Sequence, residues 1–125
     1  MALNPFLAKK LYSYSKDELL FDSCMEFGNQ RFMLSNKEIY HLLKRLNRED
    51  YFDFFGDSNE NLYEKTRKFY EFIGIKCYKS IDLNGFDDAL QFDLNEDILN
   101  HYDYKETHNL IINNGTSEHV FDQKN

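Results

Sequence analysis

Residues 75–83, with the sequence IKCYKSIDL, are followed directly by Asn84 and Gly85. This stretch is rich in residues that favour β-structure, and an Asn-Gly pair is typical of a tight turn. The stretch therefore predicts a strand that ends abruptly at Gly85.

Three other segments have a similar form. Residues 18–27 (ELLFDSCMEF) run into Gly28, residues 89–94 (ALQFDL) are shorter, and residues 109–113 (NLIIN) are closed by Asn114 and Gly115. The unbroken apolar centre of residues 109–113 predicts a strand buried on both faces, as parallel strands are. Along the chain, these segments are the first, third and fourth predicted strands, and residues 75–83 are the second.

Helix signals lie between and before the strands. Asn4 followed by Pro5 is typical of a helix start and predicts a lead-in helix within residues 1–17. Ser35 with Glu38 has the form of a capping box, and an apolar stripe at helical spacing follows it.

A second start signal lies at Asp57 and Glu60, and Gly74 stands where the residue just past that helix is expected. Two helices thus separate the first strand from the second. Strands separated by helices predict an α/β fold with a mostly parallel sheet.

Composition sets the limits on function. The chain has 125 residues, which predicts one domain, and its net charge of −7 argues against general nucleic-acid binding. No apolar run is long enough to span a membrane, and no secretory leader is visible in the sequence. Cys24 and Cys77 lie in apolar runs without metal-ligand spacing, so we expect buried, reduced thiols, no metal site and a cytoplasmic location.

Polar side chains cluster at the predicted strand ends. They are Glu26, Asp82, Asp93 and Asn113. Ligands of open parallel sheets bind in the crevice beyond the carboxyl ends of the strands, so this clustering indicates a binding site. The alternative is that these residues only cap helices or solvate turns.

Four segments carry a resemblance to a known family. They are Glu26–Gln30 (EFGNQ), Ser80–Gly85 (SIDLNG), Phe92–Asn95 (FDLN) and Asn113–Val120 (NNGTSEHV). In order and spacing they resemble the successive motifs of class I S-adenosylmethionine-dependent methyltransferases, over roughly residues 18–123. The resemblance implies a partial Rossmann-like three-layer sandwich in residues 18–125, with flanking helices and predicted strands in the order 3-2-1-4.

The same resemblance implies a cofactor site for S-adenosylmethionine. Asp82 would accept hydrogen bonds from the two ribose hydroxyls, Asp93 would accept from the adenine amino group, and Leu94 would pack on the ring. Gly28 would let the backbone approach the amino-acid part of the cofactor. The full set of implied cofactor-binding residues is Glu26, Gly28, Gln30, Asp82, Asn84, Asp93, Leu94, Asn113 and Gly115.

Catalysis by methyl transfer needs a base only when the accepting atom carries a proton that must leave. Glu118 and His119, after the fourth predicted strand, are the local candidates. The alternative is that both belong to the first turn of a helix, where Glu118 would suit the positive helix end.

The chain departs from the family pattern in two ways. Only Gly28 stands where many members have two or three glycines, and the sequence supplies four of the seven strands of the family fold. We therefore interpret it as the amino-terminal portion of an enzyme that transfers a methyl group to an unidentified acceptor.

The rival hypothesis is a non-catalytic half-domain that binds a partner, or a second copy, through its exposed fourth strand. A different small α/β nucleotide-binding protein is a third alternative, although the sequence has no phosphate-binding G-x-x-x-x-G-K-[ST] loop.

Overall fold

The computed structural model describes residues 2–17, 22–55 and 61–116. In chain order, the helices and strands of these residues are β1 (Ala2–Leu3), α1 (Pro5–Lys16), β2 (Ser23–Phe27), β3 (Arg31–Phe32), α2 (Asn36–Arg45), α3 (Leu62–Phe72), β4 (Cys77–Ile81), α4 (Ile98–Tyr102) and β5 (Leu110–Asn113). They form two compact units, the first from residues 22–29 and 75–116, the second from residues 2–17, 30–55 and 61–74. The boundary between a lead-in segment and a domain at residues 17 and 18 stays a prediction.

The first unit contains a parallel sheet in the order β4-β2-β5. Leu90 forms a single parallel bridge to Ile81 on the far side of β4. The predicted parallel sheet is therefore confirmed, with the second, first and fourth predicted strands in the predicted order and only this bridge at the place of the third. The fold is mixed α/β with flanking helices.

The third predicted strand, residues 89–94, is reduced to that bridge, so its predicted extent was wrong. Leu90 alone is tied to β4, through its N–H to Ser80 O at 2.8 Å and its carbonyl to Asp82 N at 3.0 Å. Three residues later, the Asp93 N–H donates to the Tyr102 hydroxyl at 2.7 Å. Because this N–H bonds a side chain, it is not used in a strand ladder.

The fourth predicted strand is not buried on both faces. Ile112 is buried, whereas its neighbour Ile111 is 59% exposed. Successive side chains of a strand point to opposite faces, so the face of β5 that carries Ile112 is covered and the face that carries Ile111 is open.

The two cysteines differ from each other. Cys24 in β2 is fully buried, and burial together with the nearby Glu26 raises the pKa of its thiol. Cys77 is exposed at the start of β4, so the prediction that it is buried was wrong. Both thiols are free.

The second unit contains α1, α2, α3 and the short parallel pair β1-β3, which the sequence did not predict. Its core is aromatic, with ring contacts among Tyr12, Phe32, Phe55, Phe69 and Phe72.

Two of the predicted helix starts in this unit are confirmed, and a third lies outside the described residues. The Asn4 side chain caps α1, and Ser35 with Glu38 forms a complete capping box on α2, as predicted. The cap of α3 is Asn61, whose side chain accepts from the Tyr63 N–H. The predicted start at Asp57 and Glu60 lies outside the described residues.

Candidate functional site

The carboxyl ends of β2, β4 and β5 meet at one edge of the sheet, since the three strands are parallel. Gly28 follows β2 with a φ of 75°, a left-handed conformation that glycine adopts without strain. Its N–H donates to Ile81 O at 2.9 Å. The turn after β2 is thus fixed to the end of β4, directly before Asp82.

The Asp82 carboxylate is held by two backbone N–H groups at this edge. Its Oδ2 accepts from the Asn29 N–H at 2.9 Å, and its Oδ1 accepts from the Asn84 N–H at 3.0 Å. Each oxygen of a carboxylate can accept about two hydrogen bonds, so each retains capacity for another donor. Asp82 therefore presents a fixed, partly exposed acceptor pair at the strand ends.

Asn29 is a residue of this site that the sequence reasoning did not assign. It is 5% exposed, and its Nδ2 donates to Phe86 O at 2.6 Å. Its Oδ1 is buried and has no hydrogen-bond partner among the described residues. The only sequence signal was that Asn29 stands next to Gly28, where many members of the resembling family have a further glycine.

Asn84 joins the same network. Its side-chain Oδ1 accepts from the Phe86 N–H at 2.8 Å, which shapes the turn after β4. Gly85 has a φ of 65° in this turn, and a Cβ there would lie 2.9 Å from the Gln91 side chain. The turn therefore holds Asn84 close to Asp82.

Glu26 is fully buried and accepts a hydrogen bond from the Tyr78 hydroxyl at 2.5 Å. Burial and the Glu26 carboxyl raise the pKa of Tyr78, so the hydroxyl keeps its proton. The register pairs Glu26 with Ser80, and both side chains lie on the sheet face that also carries Cys24. Glu26 is thus held within the sheet by the Tyr78 hydrogen bond, two residues before the turn at Gly28.

Asn113 and Gly115 lie at the end of β5. Asn113 is exposed and is the register partner of Phe27. Gly115 has a φ of 83°, and the next residue, Thr116, donates from its hydroxyl to Phe27 O at 2.6 Å. The Thr116 hydrogen bond also fixes the carboxyl end of β2, on the side away from β4.

Asp93 and Leu94 are held by a separate set of contacts. The Asp93 Oδ1 accepts from the N–H and the Nδ2 of Asn95, at 2.9 and 2.8 Å, and the Asn95 backbone N–H is the main reason that the pKa of Asp93 is lowered. Phe92 stacks on Tyr102 with ring centroids 4.2 Å apart. Leu94 is half-buried.

Three further predicted site residues are Gln30, Glu118 and His119. Gln30 is buried in the second unit, where its carbonyl accepts from the Thr66 hydroxyl at 2.9 Å. Glu118 and His119 lie outside the described residues. Hydrogen bonds thus join Asp82 to Asn29 and Asn84. Gly28 bonds to Ile81, directly before Asp82, and the sheet brings Asn113 to the same edge.

Neither a metal-ligand cluster nor a membrane-spanning helix is present in the described residues. No group of three or more His, Cys, Asp or Glu side chains there could hold a metal ion. In the same ranges, no helix combines the length and the apolar character needed to cross a membrane.

Comparison with known proteins gives no family. No protein-family model matches the chain, and neither a curated protein nor a solved structure matches it. What can be concluded about function therefore rests on the fold and on the residues at the carboxyl edge of its sheet.

Proposed function

We propose that this chain binds S-adenosylmethionine through the carboxyl edge of its parallel sheet and serves the transfer of the methyl group to an acceptor. The observation that carries the proposal is the Asp82 carboxylate, fixed by two backbone N–H groups at the point where β2 and β4 end. Ligands of open parallel sheets bind outside the carboxyl ends of the strands.

The Asp82 carboxylate fits a ribose. A ribose has two neighbouring hydroxyls, and a carboxylate can accept one hydrogen bond from each of them. The two backbone donors fix the orientation of the carboxylate before the ligand arrives, so less side-chain entropy is lost on binding. The left-handed turn at Gly28 lets the backbone approach the rest of the ligand closely.

The chain's contribution to catalysis would be orientation. When bound, S-adenosylmethionine supplies an electrophilic methyl group on a sulfonium. Transfer to an aligned acceptor needs no covalent nucleophile, so positioning supplies much of the acceleration. Asp82 and the Gly28 turn would hold the cofactor, and Glu118 or His119 would take a proton from acceptors that carry one.

Isothermal titration calorimetry with S-adenosylmethionine tests the proposal. We expect Asp82→Asn to weaken binding about 10- to 100-fold, since hydrogen bonds to a charged group contribute about 1.5–3 kcal/mol. The matched control is Asp103→Asn, which removes an exposed carboxylate that pairs with Lys105 on the surface of the same unit. Binding equal to that of the unchanged chain in Asp82→Asn would contradict the role of Asp82.

A ligand pair tests the ribose contact without any substitution. Adenosine carries the vicinal hydroxyls, and 2′,3′-dideoxyadenosine lacks them. The unchanged chain should bind adenosine more tightly by a similar factor. Absence of binding by S-adenosylmethionine and adenosine alike would reject the cofactor proposal.

A second candidate function is supported by β5. This strand is an edge of the described sheet, and Ile111 on it is 59% exposed. Exposed apolar edge strands are templates for pairing with another chain. Under this proposal Ile111→Lys abolishes self-association in light scattering, whereas Met33→Lys, a change at a residue 50% exposed in the other unit, leaves it intact.

A further inference from the structure

A cavity of about 550 Å³ lies on one face of the β4-β2-β5 sheet. The register places Met25 beside Ile111 and Phe27 beside Ile81, so these four side chains share that face. The described lining lies within the first unit and contains none of the residues assigned to the cofactor, so the inference goes beyond the proposed function. The apolar part of the lining is Met25, Phe27, Ile81, Ile98, Leu99 and Ile111.

The charge of the lining is negative. Asp97 and Glu106 belong to the described lining, which contains neither a lysine nor an arginine. His108 also lies there, and burial lowers the pKa of its ring, which favours the neutral form. A mostly apolar cavity with a few polar groups is the usual form of a small-molecule site.

Glu106 is already paired with a cation. Lys79 Nζ lies 2.7 Å from both of its carboxylate oxygens, and this contact lowers the pKa of Glu106, so the carboxylate is ionised. The two opposite charges largely compensate each other. Lys105, the next cation along the chain, pairs with Asp103 at 2.6 Å.

Asp97 carries the negative charge that is left. Its side chain is exposed and forms no ion pair within the described residues. Its Oδ1 accepts from the Asn100 N–H at 2.9 Å, and its Oδ2 accepts from Asn100 Nδ2 at 2.7 Å. The Asn100 N–H lowers the pKa of Asp97, so the carboxylate is ionised at neutral pH. Each oxygen retains capacity for a further donor.

We propose that this cavity binds an organic monocation, with an apolar ring or chain in the cavity and an ammonium group that donates to the Asp97 carboxylate. The apolar lining takes the ring and the chain by the hydrophobic effect. One positive charge compensates the one negative charge that Asp97 leaves open. Residues 75–116 contain eight acidic and three basic side chains, so the field around the cavity also attracts a cation.

The probes are 4-phenylbutylamine, 4-phenylbutanol and 4-phenylbutyrate, which share a ring and a chain and differ in charge. The amine is protonated at neutral pH, as a lysine side chain is. Binding is measured by NMR titration at low salt, at a chain concentration where light scattering shows a monomer. We expect the amine to bind about 2- to 5-fold more tightly than the alcohol, the factor that an exposed ion pair provides, and the carboxylate to bind most weakly.

Asp97→Asn tests the charge. Asparagine caps a helix as well as aspartate does, so α4 should keep its start. The preference for the amine over the alcohol should vanish, whereas the affinity for the alcohol should stay unchanged, a pattern that damage to the cavity would not give. The control is Asp22→Asn, which removes an exposed carboxylate that precedes β2 and is not part of the described lining. This variant should keep the preference, and added salt should reduce it.

A second substitution tests the apolar lining. Leu99→Asn removes apolar surface from the cavity wall at a residue that is 52% exposed, so the fold should tolerate it. It should weaken the binding of the amine and of the alcohol alike, by about 3- to 10-fold, because both lose the same apolar contact. Met33→Asn is the matched control, since Met33 is 50% exposed and lies in the other unit.

Three results would overturn the proposal. Equal binding of the amine and the alcohol would indicate a neutral occupant, and binding of none of the probes would reject the site. A second copy of the chain as occupant would appear as self-association that the amine and the alcohol displace equally. Asp82→Asn should leave amine binding unchanged, so this inference can fail while the proposed function stands, and the reverse.

Discussion

Replacing Tyr78 by Phe removes one hydroxyl and leaves the ring in place. That hydroxyl donates to Glu26 at 2.5 Å, and Glu26 is fully buried within the sheet. A buried acceptor that loses a donor is not compensated by water, and this costs about 1–3 kcal/mol. We expect Tyr78→Phe to lower the free energy of unfolding by about 2 kcal/mol, equivalent to about 6–10 °C in Tm for a chain of this size.

The assay is urea unfolding followed by circular dichroism, with the Glu26→Gln variant as a second background. A glutamine carbonyl still accepts from Tyr78, so Tyr78→Phe should lower the free energy of unfolding in this background as well. Tyr14→Phe is the control, since Tyr14 is 47% exposed, and its effect should stay within about 0.5 kcal/mol. If Tyr78→Phe matches this control, the reasoning about the buried carboxyl is wrong.

Two further predictions concern a helix cap and the network at the carboxyl edge. Ser35→Ala should cost about 1 kcal/mol in urea unfolding at pH 7, because it removes the acceptor of the capping box. The Ser35 N–H lowers the pKa of Glu38. The charge of Glu38 therefore stabilises the fold above the pKa that Glu38 has in the unfolded chain, and this stabilisation is lost as pH falls through the pKa in the folded chain. A Glu38→Gln variant that is equally less stable at pH 7 and pH 2 would contradict this. Asn29→Asp should destabilise at neutral pH, since an ionised carboxylate cannot donate to Phe86 O as the amide does. Its folded pKa should be raised, so thermal unfolding should show stability recovered as pH falls, whereas Asn109→Asp, which keeps its acceptor role toward Ser23, should be nearly neutral.

The parts of the fold that the sequence predicted are those with strong local signals. The strands around Met25, Ser80 and Ile112 combine apolar runs with glycine turns, and the Ser35 cap is a local hydrogen-bond pattern. The pair β1-β3 has two residues in each strand, too few for any periodicity to indicate. The side-chain acceptor Tyr102, which ends the third predicted strand, comes from a later part of the chain.

The positions of the polar residues of the candidate site could be predicted from the sequence, but their contacts could not. Asp82 and Asn84 follow a strand signal directly, so their place at the carboxyl edge could be read from local sequence. The Asn29 contacts to Asp82 and Phe86 span more than fifty residues, and such contacts leave no local pattern. Gln30 directly follows Asn29, so nothing in the sequence indicates that the two residues belong to different units.

The pairing of β2 with β4 has a consequence for the newly made chain. Glu26 and Tyr78 are 52 residues apart, so at about 5–20 residues per second β2 is complete roughly 3–10 seconds before its partner on that side. During this interval Cys24 lacks the neighbouring strand that later helps to bury it. Its thiol is then more accessible to oxidants than it is in the folded protein, where it is fully buried.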